Sequence, residues 1–220
     1  MDVYNTEEEQ VQAIKQWWKE NAVSLIAGVV IGLSVLGGYR FWIENNKTQA
    51  QEASVLFSKV LSSAENKAKN VEILKADYAG TPYAALAALL FAKDNVAANE
   101  TEKAISQLKW VIDNNNDSGI QHIAQQRLAR LYLSQDKIES AENLIKGVKA
   151  TGFDAAYNEI RGDLNLAKKL PTQAKENYRL ALAALGQGDQ RYAIIKMKLD
   201  DLTQIKTNVA RSENKSGEAK

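Results

Sequence analysis

The stretch that decides the fold is RLARLYLSQDKIESAENLIKGV, which spans residues 127–148. Apolar residues recur every three or four positions in Arg127–Leu133 and again in Ile138–Val148, which is the periodicity of two amphipathic helices. Each helix carries one alanine, Ala129 in the first and Ala141 in the second. Small residues at a crossing point let two helix backbones approach closely. The stretch therefore predicts an antiparallel helix pair.

The spacing of that helix pair recurs before and after it. Ala104, Ala141 and Ala174 lie 37 and 33 residues apart. The matching residues are Ala92, Ala129 and Gly162 twelve positions earlier, Leu108, Ile145 and Tyr178 four later, and Val111, Val148 and Ala181 seven later. Three tandem units with a nominal period of 34 residues are typical of tetratricopeptide repeats. The first and third units differ from the consensus, with Asn95 and Asn165 where an aromatic residue is usual.

Further helices are predicted on both sides of the three units. Upstream, a helix with a stripe of apolar residues ends at a polar break, and a second helix stops before Pro82 and closes a degenerate fourth unit. The stripe comprises Ala50, Ala53, Leu56, Phe57, Val60 and Leu61, the break Ala64–Asn70, and the fourth unit ends with Lys75–Pro82. Downstream, a capping helix with Ala193, Ile194, Met197 and Leu202 is predicted to cover the last unit. The polar tail at 203–220 is expected to be disordered.

An uncharged segment near the N-terminus is predicted to cross a membrane. Asn21–Tyr39 carries no charge, and as a helix it would extend about 28 Å, close to the hydrocarbon thickness of a bilayer. Aromatic residues flank it at 17–18 and 39–42. Its length and the acidic Glu7–Glu9 before it disfavour a cleaved signal peptide, and its uniform apolarity disfavours a core helix. We therefore predict an all-α protein: a single transmembrane helix at 21–42, then a tetratricopeptide-like helical-hairpin solenoid at 43–202.

The arm at 1–20 is predicted to be an amphipathic helix that lies at the membrane surface. Thr6 and Glu9 form a capping box at its start. A dedicated partner-binding arm is the alternative. Basic residues divide evenly between the two ends of the anchor: Lys15 and Lys19 before it, Arg40 and Lys47 after it. Because orientation follows an excess of basic residues on the cytoplasmic side, the residues alone leave the orientation open.

Little in the sequence indicates chemistry at an active site. The 28 basic and 27 acidic residues nearly cancel among 220, which disfavours a nucleic-acid partner. Cysteine is absent and His122 is the only histidine, so we expect His122 to be a helix-surface or partly buried residue rather than a metal ligand. Phosphate-binding glycine loops and nucleophile motifs are also missing. We expect no enzymatic activity, no catalytic residues, no metal and no cofactor.

Two groups of residues are candidates for binding. Ser24, Gly28 and Gly32 share one face of the anchor and could contact another membrane helix, although glycine is also simply frequent in such helices. The first helix of each repeat usually lines the concave face of the solenoid. Counting along these helices predicts a groove lined by Leu86, Leu89, Lys93, Ile123, Gln126, Arg130, Leu133, Glu159, Asp163 and Leu166. Alternatively, some of these leucines pack between neighbouring helices.

The order of motifs along the chain resembles a known family. An acidic arm, KQWWKEN, the Gly-rich anchor and YRFW are followed by YAALA, RLARL, IRGD and MKLDDL. From about residue 3 to 202 the chain resembles the YfgM family of Gram-negative bacteria, ancillary subunits of the SecYEG translocon. The resemblance implies an inner-membrane protein with its N-terminus in the cytoplasm and its repeats in the periplasm. It also implies association with the chaperone PpiD and a part in passing secreted proteins to periplasmic chaperones.

Two functions remain open at this point. The first is a chaperone-like translocon accessory that holds partners or emerging secreted chains on its repeats. The second is an envelope scaffold whose repeats bind one folded partner or regulator, without a role in secretion. A groove lined by apolar and amide side chains would favour the first, and a groove dominated by one sign of charge would favour the second.

Overall fold

The computed structural model describes residues 7–62, 65–149, 151–186 and 188–202, and in this part of the chain the regular structure is entirely helical. The helices are α1 (Glu7–Ser62), α2 (Lys67–Asp77), α3 (Pro82–Ala97), α4 (Thr101–Asn114), α5 (Ser118–Ser134), α6 (Ile138–Ile145), α7 (Asp154–Ala167), α8 (Pro171–Ala183) and α9 (191–202). The predicted all-α class is confirmed. The proposed capping residue Thr6 and the polar tail lie outside the described residues.

The chain divides into two compact units, Met1–Glu52 and Ala53–Lys220. In the first, α1 is the one helix of the described residues that is long and apolar enough to cross a membrane, and its apolar segment has no buried residue. The predicted N-terminal apolar helix is thus present. The rings of Tyr39 and Trp42, one helical turn apart, stack with centroids 6.3 Å apart at the end of this segment.

The second unit begins with a helix pair that precedes the three predicted repeats. Ala53 and Val60 at the end of α1 are fully buried in a cluster with Val71 and Leu74 of α2 and two alanines of α3. This pair occupies the place of the degenerate fourth unit. The predicted stripe is wrong at Leu61, which is 60% exposed, and the predicted break is too long because α2 already begins at Lys67.

The three repeats share one turn geometry between their two helices. Asn99, Asp136 and Lys169 all have φ near +60° and lie 37 and 33 residues apart, the same spacing as the aligned alanines. In each turn this residue and the next one donate N–H bonds to the last carbonyls of the first helix, as in helix ends closed by a left-handed residue. The carbonyls of Asn95, Tyr132 and Asn165 accept equivalent bonds. The repeat register therefore holds at both asparagines that differ from the consensus.

The small residues of the predicted register lie where the helices of each pair pack. Ala104, Ala141 and Ala174 are fully buried, and so are Ala92, Ala129 and Gly162 or nearly so. A Cβ added at Gly162 would overlap the ring of Tyr178, which is itself fully buried. Only glycine therefore leaves room for the tyrosine in the third pair.

Two details of the predicted repeats are wrong. The second helix of the middle unit ends at Ile145, because Gly147 takes a φ of +71°, and Val148 is only partly buried beyond it. In α9, the buried residues are Ile195 and Leu202, with Leu199 partly buried against the same cluster. Ala193, Ile194 and Met197, which were also predicted to cover the last unit, are exposed, the last two by more than half.

Candidate partner-binding face of the repeats

A chain of charged side chains crosses the first helices of successive repeats and reaches the capping helix. Arg130 of α5 donates from Nη2 to Glu159 Oε2 of α7 at 3.1 Å. Lys198 of α9 donates from Nζ to Glu159 Oε1 at 2.9 Å and to both carboxylate oxygens of Asp163 at 2.8 and 2.9 Å. Tyr178 of α8 completes the set through a 2.7 Å bond from its hydroxyl to Asp163 Oδ1. We call these five residues the charge network.

Burial and pairing act against each other in the charge network. Glu159 is 7% exposed, and burial alone would raise its pKa, but the Lys198 and Arg130 contacts outweigh burial and hold its pKa below the usual range. Burial alone would lower the pKa of Lys198, but its bonds to Asp163 and Glu159 outweigh burial. The pKa of Lys198 is therefore raised above its ordinary value. Burial and the neighbouring Asp163 raise the pKa of Tyr178. Near neutral pH Glu159 is therefore ionised, Lys198 is protonated and Tyr178 is neutral.

The structure brings together three of the ten predicted groove residues, Arg130, Glu159 and Asp163, in the charge network. The apolar members differ from one another. Leu89 is buried in the core, and Ile123 and Leu133 pack against the core while partly exposed. Leu86 is 40% exposed and Leu166 is 45% exposed. The alternative of leucines that pack between helices therefore describes only some of them.

Gln126, another of the predicted groove residues, is also buried. It is 8% exposed, and its Nε2 has no hydrogen-bond partner among the described residues. Arg130, one helical turn later, forms an ion pair with the buried Glu159. Gln126→Glu would bury a new negative charge, and Arg130→Glu would replace the ion pair of Glu159 by repulsion, so the double change would test folding rather than binding.

An open cleft separates α3 from α5 on the same side of the repeats. Its volume is about 370 Å³, and it is lined by Ala92, Lys93, Val96, Leu108, Arg127, Arg130, Leu131 and Ser134. Two of the predicted groove residues, Lys93 and Arg130, lie at this cleft. The sequence did not single out Val96, Arg127 or Leu131.

His122, the only histidine of the sequence, packs among polar and aromatic side chains. His122 Nδ1 lies 2.8 Å from the hydroxyl of Tyr157 and 3.3 Å from Gln125 Oε1, and its ring packs at 5.1 Å from that of Phe153. Burial raises the pKa of Tyr157 to about 12. The described residues contain no cluster of histidine and acidic side chains that could hold a metal ion.

In the first unit, Ser24, Gly28 and Gly32 are exposed on α1. A Cβ at either glycine would meet no atom within 4 Å, so the structure itself places nothing against this face. A contact with another membrane helix remains a proposal.

Comparison with known families agrees with this architecture. A family model described as a tetratricopeptide repeat-like domain matches residues 15–204, which is most of the chain. The chain belongs to the tetratricopeptide repeat-like domain family. No solved structure matches the chain.

Relatives of this tetratricopeptide repeat-like chain extend over nearly its full length. A protein of Escherichia coli (strain K12) is 29% identical over 210 residues, 92% of this chain and 100% of the relative. A protein of Neisseria gonorrhoeae is 29% identical over 208 residues, with the same two coverages. A third, from Haemophilus influenzae, is 28% identical over 204 residues, 90% of this chain and 99% of its own. Each is named an ancillary SecYEG translocon subunit, which confirms the resemblance to that family.

Lys198 is the member of the charge network that sequence reasoning missed. It lies 39 positions from Glu159 and 35 from Asp163, and it belongs to the helix that caps the tetratricopeptide repeat-like fold. One signal was available. In solenoids of this kind the capping helix takes the place of a first helix, so a lysine on it could have been aligned with Arg130 and Asp163.

We expect Lys198→Met to lower the free energy of unfolding by about 2 kcal/mol at neutral pH, because it leaves two carboxylates with less compensation. The folded-state pKa of Glu159 is below its ordinary 4.5, so its ion pairs stabilise the fold above that pH and lose this effect as the pH falls through the folded pKa. The difference between wild type and variant should therefore shrink as the pH falls below 4.5 towards the folded-state pKa. Urea titrations followed by circular dichroism would measure it.

The control is Lys103→Met, which removes an exposed pair with Glu100 and should cost well under about 1 kcal/mol. Equal stability of wild type and the Lys198 variant at pH 7 would show that the charge network does not hold α9 in place.

Proposed function

We propose that this chain is a non-enzymatic ancillary subunit of the SecYEG translocon, anchored in the bacterial inner membrane by α1. Its N-terminus lies in the cytoplasm and its repeats lie in the periplasm, where they bind partner proteins. The observation that carries the proposal is the joint match of the apolar helix and the repeats, over 90% or more of the chain, to relatives with that name.

The chemistry of the repeats supports a binding role. Helical repeats present extended concave surfaces, which suit protein partners. The buried ionisable groups of that face are paired with one another, and their pKa shifts move them away from neutrality. A general acid or base works best with a pKa near the operating pH, so the charge network suits a structural role better than proton transfer.

The finer part of the proposal concerns partners. The repeats hold the membrane-anchored chaperone PpiD or secreted chains as they leave the translocon, and pass those chains to periplasmic chaperones. The face formed by Ser24, Gly28 and Gly32 is proposed to contact a membrane helix of the assembly. The side chains of Leu86 and Leu166, exposed on the first helices of two repeats, provide apolar contact area for varied partners.

The alternative, an envelope scaffold for one folded partner, is favoured by one observation. The cleft between α3 and α5 has three cationic side chains and no carboxylate among its lining residues. A surface with one sign of charge selects a partner of opposite charge. The two functions differ in whether secreted chains are bound.

The proposal is tested by photo-crosslinking in living cells from the full chain, with the crosslinker at Leu86 or Leu166. We expect adducts with SecYEG subunits, periplasmic chaperones and secreted chains, because both positions are exposed on first helices of the repeats. The matched control places the crosslinker at Leu180, equally exposed on a second helix, and should yield fewer adducts.

Adducts with cytoplasmic proteins alone would contradict the orientation. Adducts with a single envelope protein and no secreted chain would establish the scaffold. The same crosslinking with Gly28→Leu and Gly32→Leu combined should lose the SecYEG adducts if the anchor contacts a translocon helix, and undiminished adducts would remove that contact.

A further inference from the structure

The cleft between α3 and α5 combines an apolar floor with a basic rim. Val96 is 46% exposed at one side, Leu131 is partly buried at the other, and the buried Leu108 closes the floor. Lys93, Arg127 and Arg130 stand around it. A volume of about 370 Å³ lies within the range of pockets that hold small ligands or a few side chains.

Two of the three basic side chains at the rim have no acidic partner among the described residues. Lys93 and Arg127 are exposed, and neither has an ion pair with a described residue. The nearest acidic residue in sequence, Asp94, is engaged by Lys67 at 2.8 Å. Arg130 donates from Nη2 to one oxygen of Glu159, and Lys198 donates to the other oxygen of that carboxylate. Positive charge therefore remains unbalanced at the cleft.

The charge network explains why this part of the concave face differs from the rest. The carboxylates of the third repeat, Glu159 and Asp163, are held by Lys198 from the capping helix. Neither carboxylate forms an ion pair with Lys93 or Arg127. The first helices therefore carry two distinct regions: the charge network, in which acidic and basic side chains are paired, and the cleft, at which two basic side chains are unpaired among the described residues.

We propose that this cleft binds a protein segment in which a large apolar side chain lies next to an aspartate or glutamate. The apolar side chain covers Val96 and Leu131, and the carboxylate reaches Lys93 or Arg127. The inference rests on the proposed function and names the chemistry of the segments that the repeats hold. Neither feature is enough alone, because exposed ion pairs are weak and the apolar floor is small. Binding is therefore weak, salt-sensitive and tolerant of the surrounding sequence.

The experiment uses the full chain in nanodiscs of uncharged lipid and a fluorescent peptide that repeats serine, leucine and aspartate. Fluorescence anisotropy measures its affinity. Two further peptides carry lysine in place of aspartate, or serine in place of leucine, and should bind at least about tenfold more weakly. Raising the salt concentration from about 0.05 M to about 0.5 M should lower the affinity for the acidic peptide severalfold, because salt screens the attraction between its carboxylates and the basic side chains.

Lys93→Glu combined with Arg127→Glu should lower the affinity about tenfold, because two attractive charges become repulsive. Val96→Ser should lower it about threefold through lost apolar contact. Lys149→Glu combined with Lys196→Glu changes the net charge equally at exposed sites that do not line the cleft, and should change the affinity less than about twofold. Circular dichroism verifies that each variant is folded.

Equal affinity for the three peptides, or equal loss in both charge-reversed pairs, would overturn the inference. So would a dimer of the chain that dissociates in the Lys93 and Arg127 variant, since a second copy would then fill the cleft. A failure of the proposed function would be seen in a different experiment. SecYEG adducts would be missing in cells, whether or not the peptides bind in the anisotropy assay.

Discussion

Gly162→Ala is expected to lower the free energy of unfolding by roughly 2 kcal/mol, although alanine is the better helix former. The added Cβ would overlap the ring of Tyr178, which is fully buried and fixed by its bond to Asp163. Overpacking typically costs about 1–3 kcal/mol, and this overlap with a fixed ring belongs at the upper end. The helix propensity of alanine returns about 1 kcal/mol. Urea unfolding of the full chain, followed by circular dichroism at 222 nm, measures the difference.

A double-mutant cycle separates the overlap from other effects. Combining Gly162→Ala with Tyr178→Leu removes the ring, so the alanine should then cost nothing or stabilise the helix. Gly80→Ala is the open-space control, because a Cβ there would meet no atom within 4 Å. Additive effects of the two substitutions in α7 and α8 would mean that the ring does not restrict position 162.

Ala141→Leu is expected to cost about 1–3 kcal/mol of unfolding free energy. Ala141 is fully buried on the short helix α6, at the position that Ala104 and Ala174 occupy in the neighbouring repeats. Three additional carbon atoms must displace core side chains or separate α6 from α5. Ala141→Ser adds one atom, and its hydroxyl can bond to a carbonyl of the preceding turn, so its effect should be milder.

Ser140→Leu is the matched control for the leucine. It adds a large apolar side chain to the same helix one position earlier, on the exposed side, and should change stability by less than about 0.5 kcal/mol. If the Ala141 and Ser140 variants unfold at the same urea concentration, the crossing point assigned to the middle repeat is wrong.

Several features of the fold were predictable from the residues because they depend on local spacing. The positions of Ala104, Ala141 and Ala174 set the register, and the left-handed turn residues then recur with the same intervals. Pro82 begins α3, as its position predicts. The longer first interval follows from α5, which has 17 residues where α7 has 14. Periodicity failed where a helix ended early, as at Gly147, since one residue with positive φ overrides the apolar pattern around it.

The candidate site was predictable only in part. Arg130, Glu159 and Asp163 were placed on one face by counting along the first helices, and the structure joins them. The cleft residues Val96 and Arg127 were missed because their exposure depends on how far α3 and α5 separate. The orientation of α9 was predicted wrongly at Ile194 and Met197, since both faces of that helix carry apolar residues.

The sequence by itself determined the helical class, the apolar N-terminal helix, the repeat period and the small residues at each crossing, because all of these follow from periodicity within one or two helices. Only the tertiary structure decided which charged side chains of the first helices are paired and which are not. That decision rests on Lys198, which the packing of Ile195 and Leu202 brings to Glu159 and Asp163. A charge pair between residues 35 or more apart has no local signature, since its geometry is fixed by the burial of other side chains.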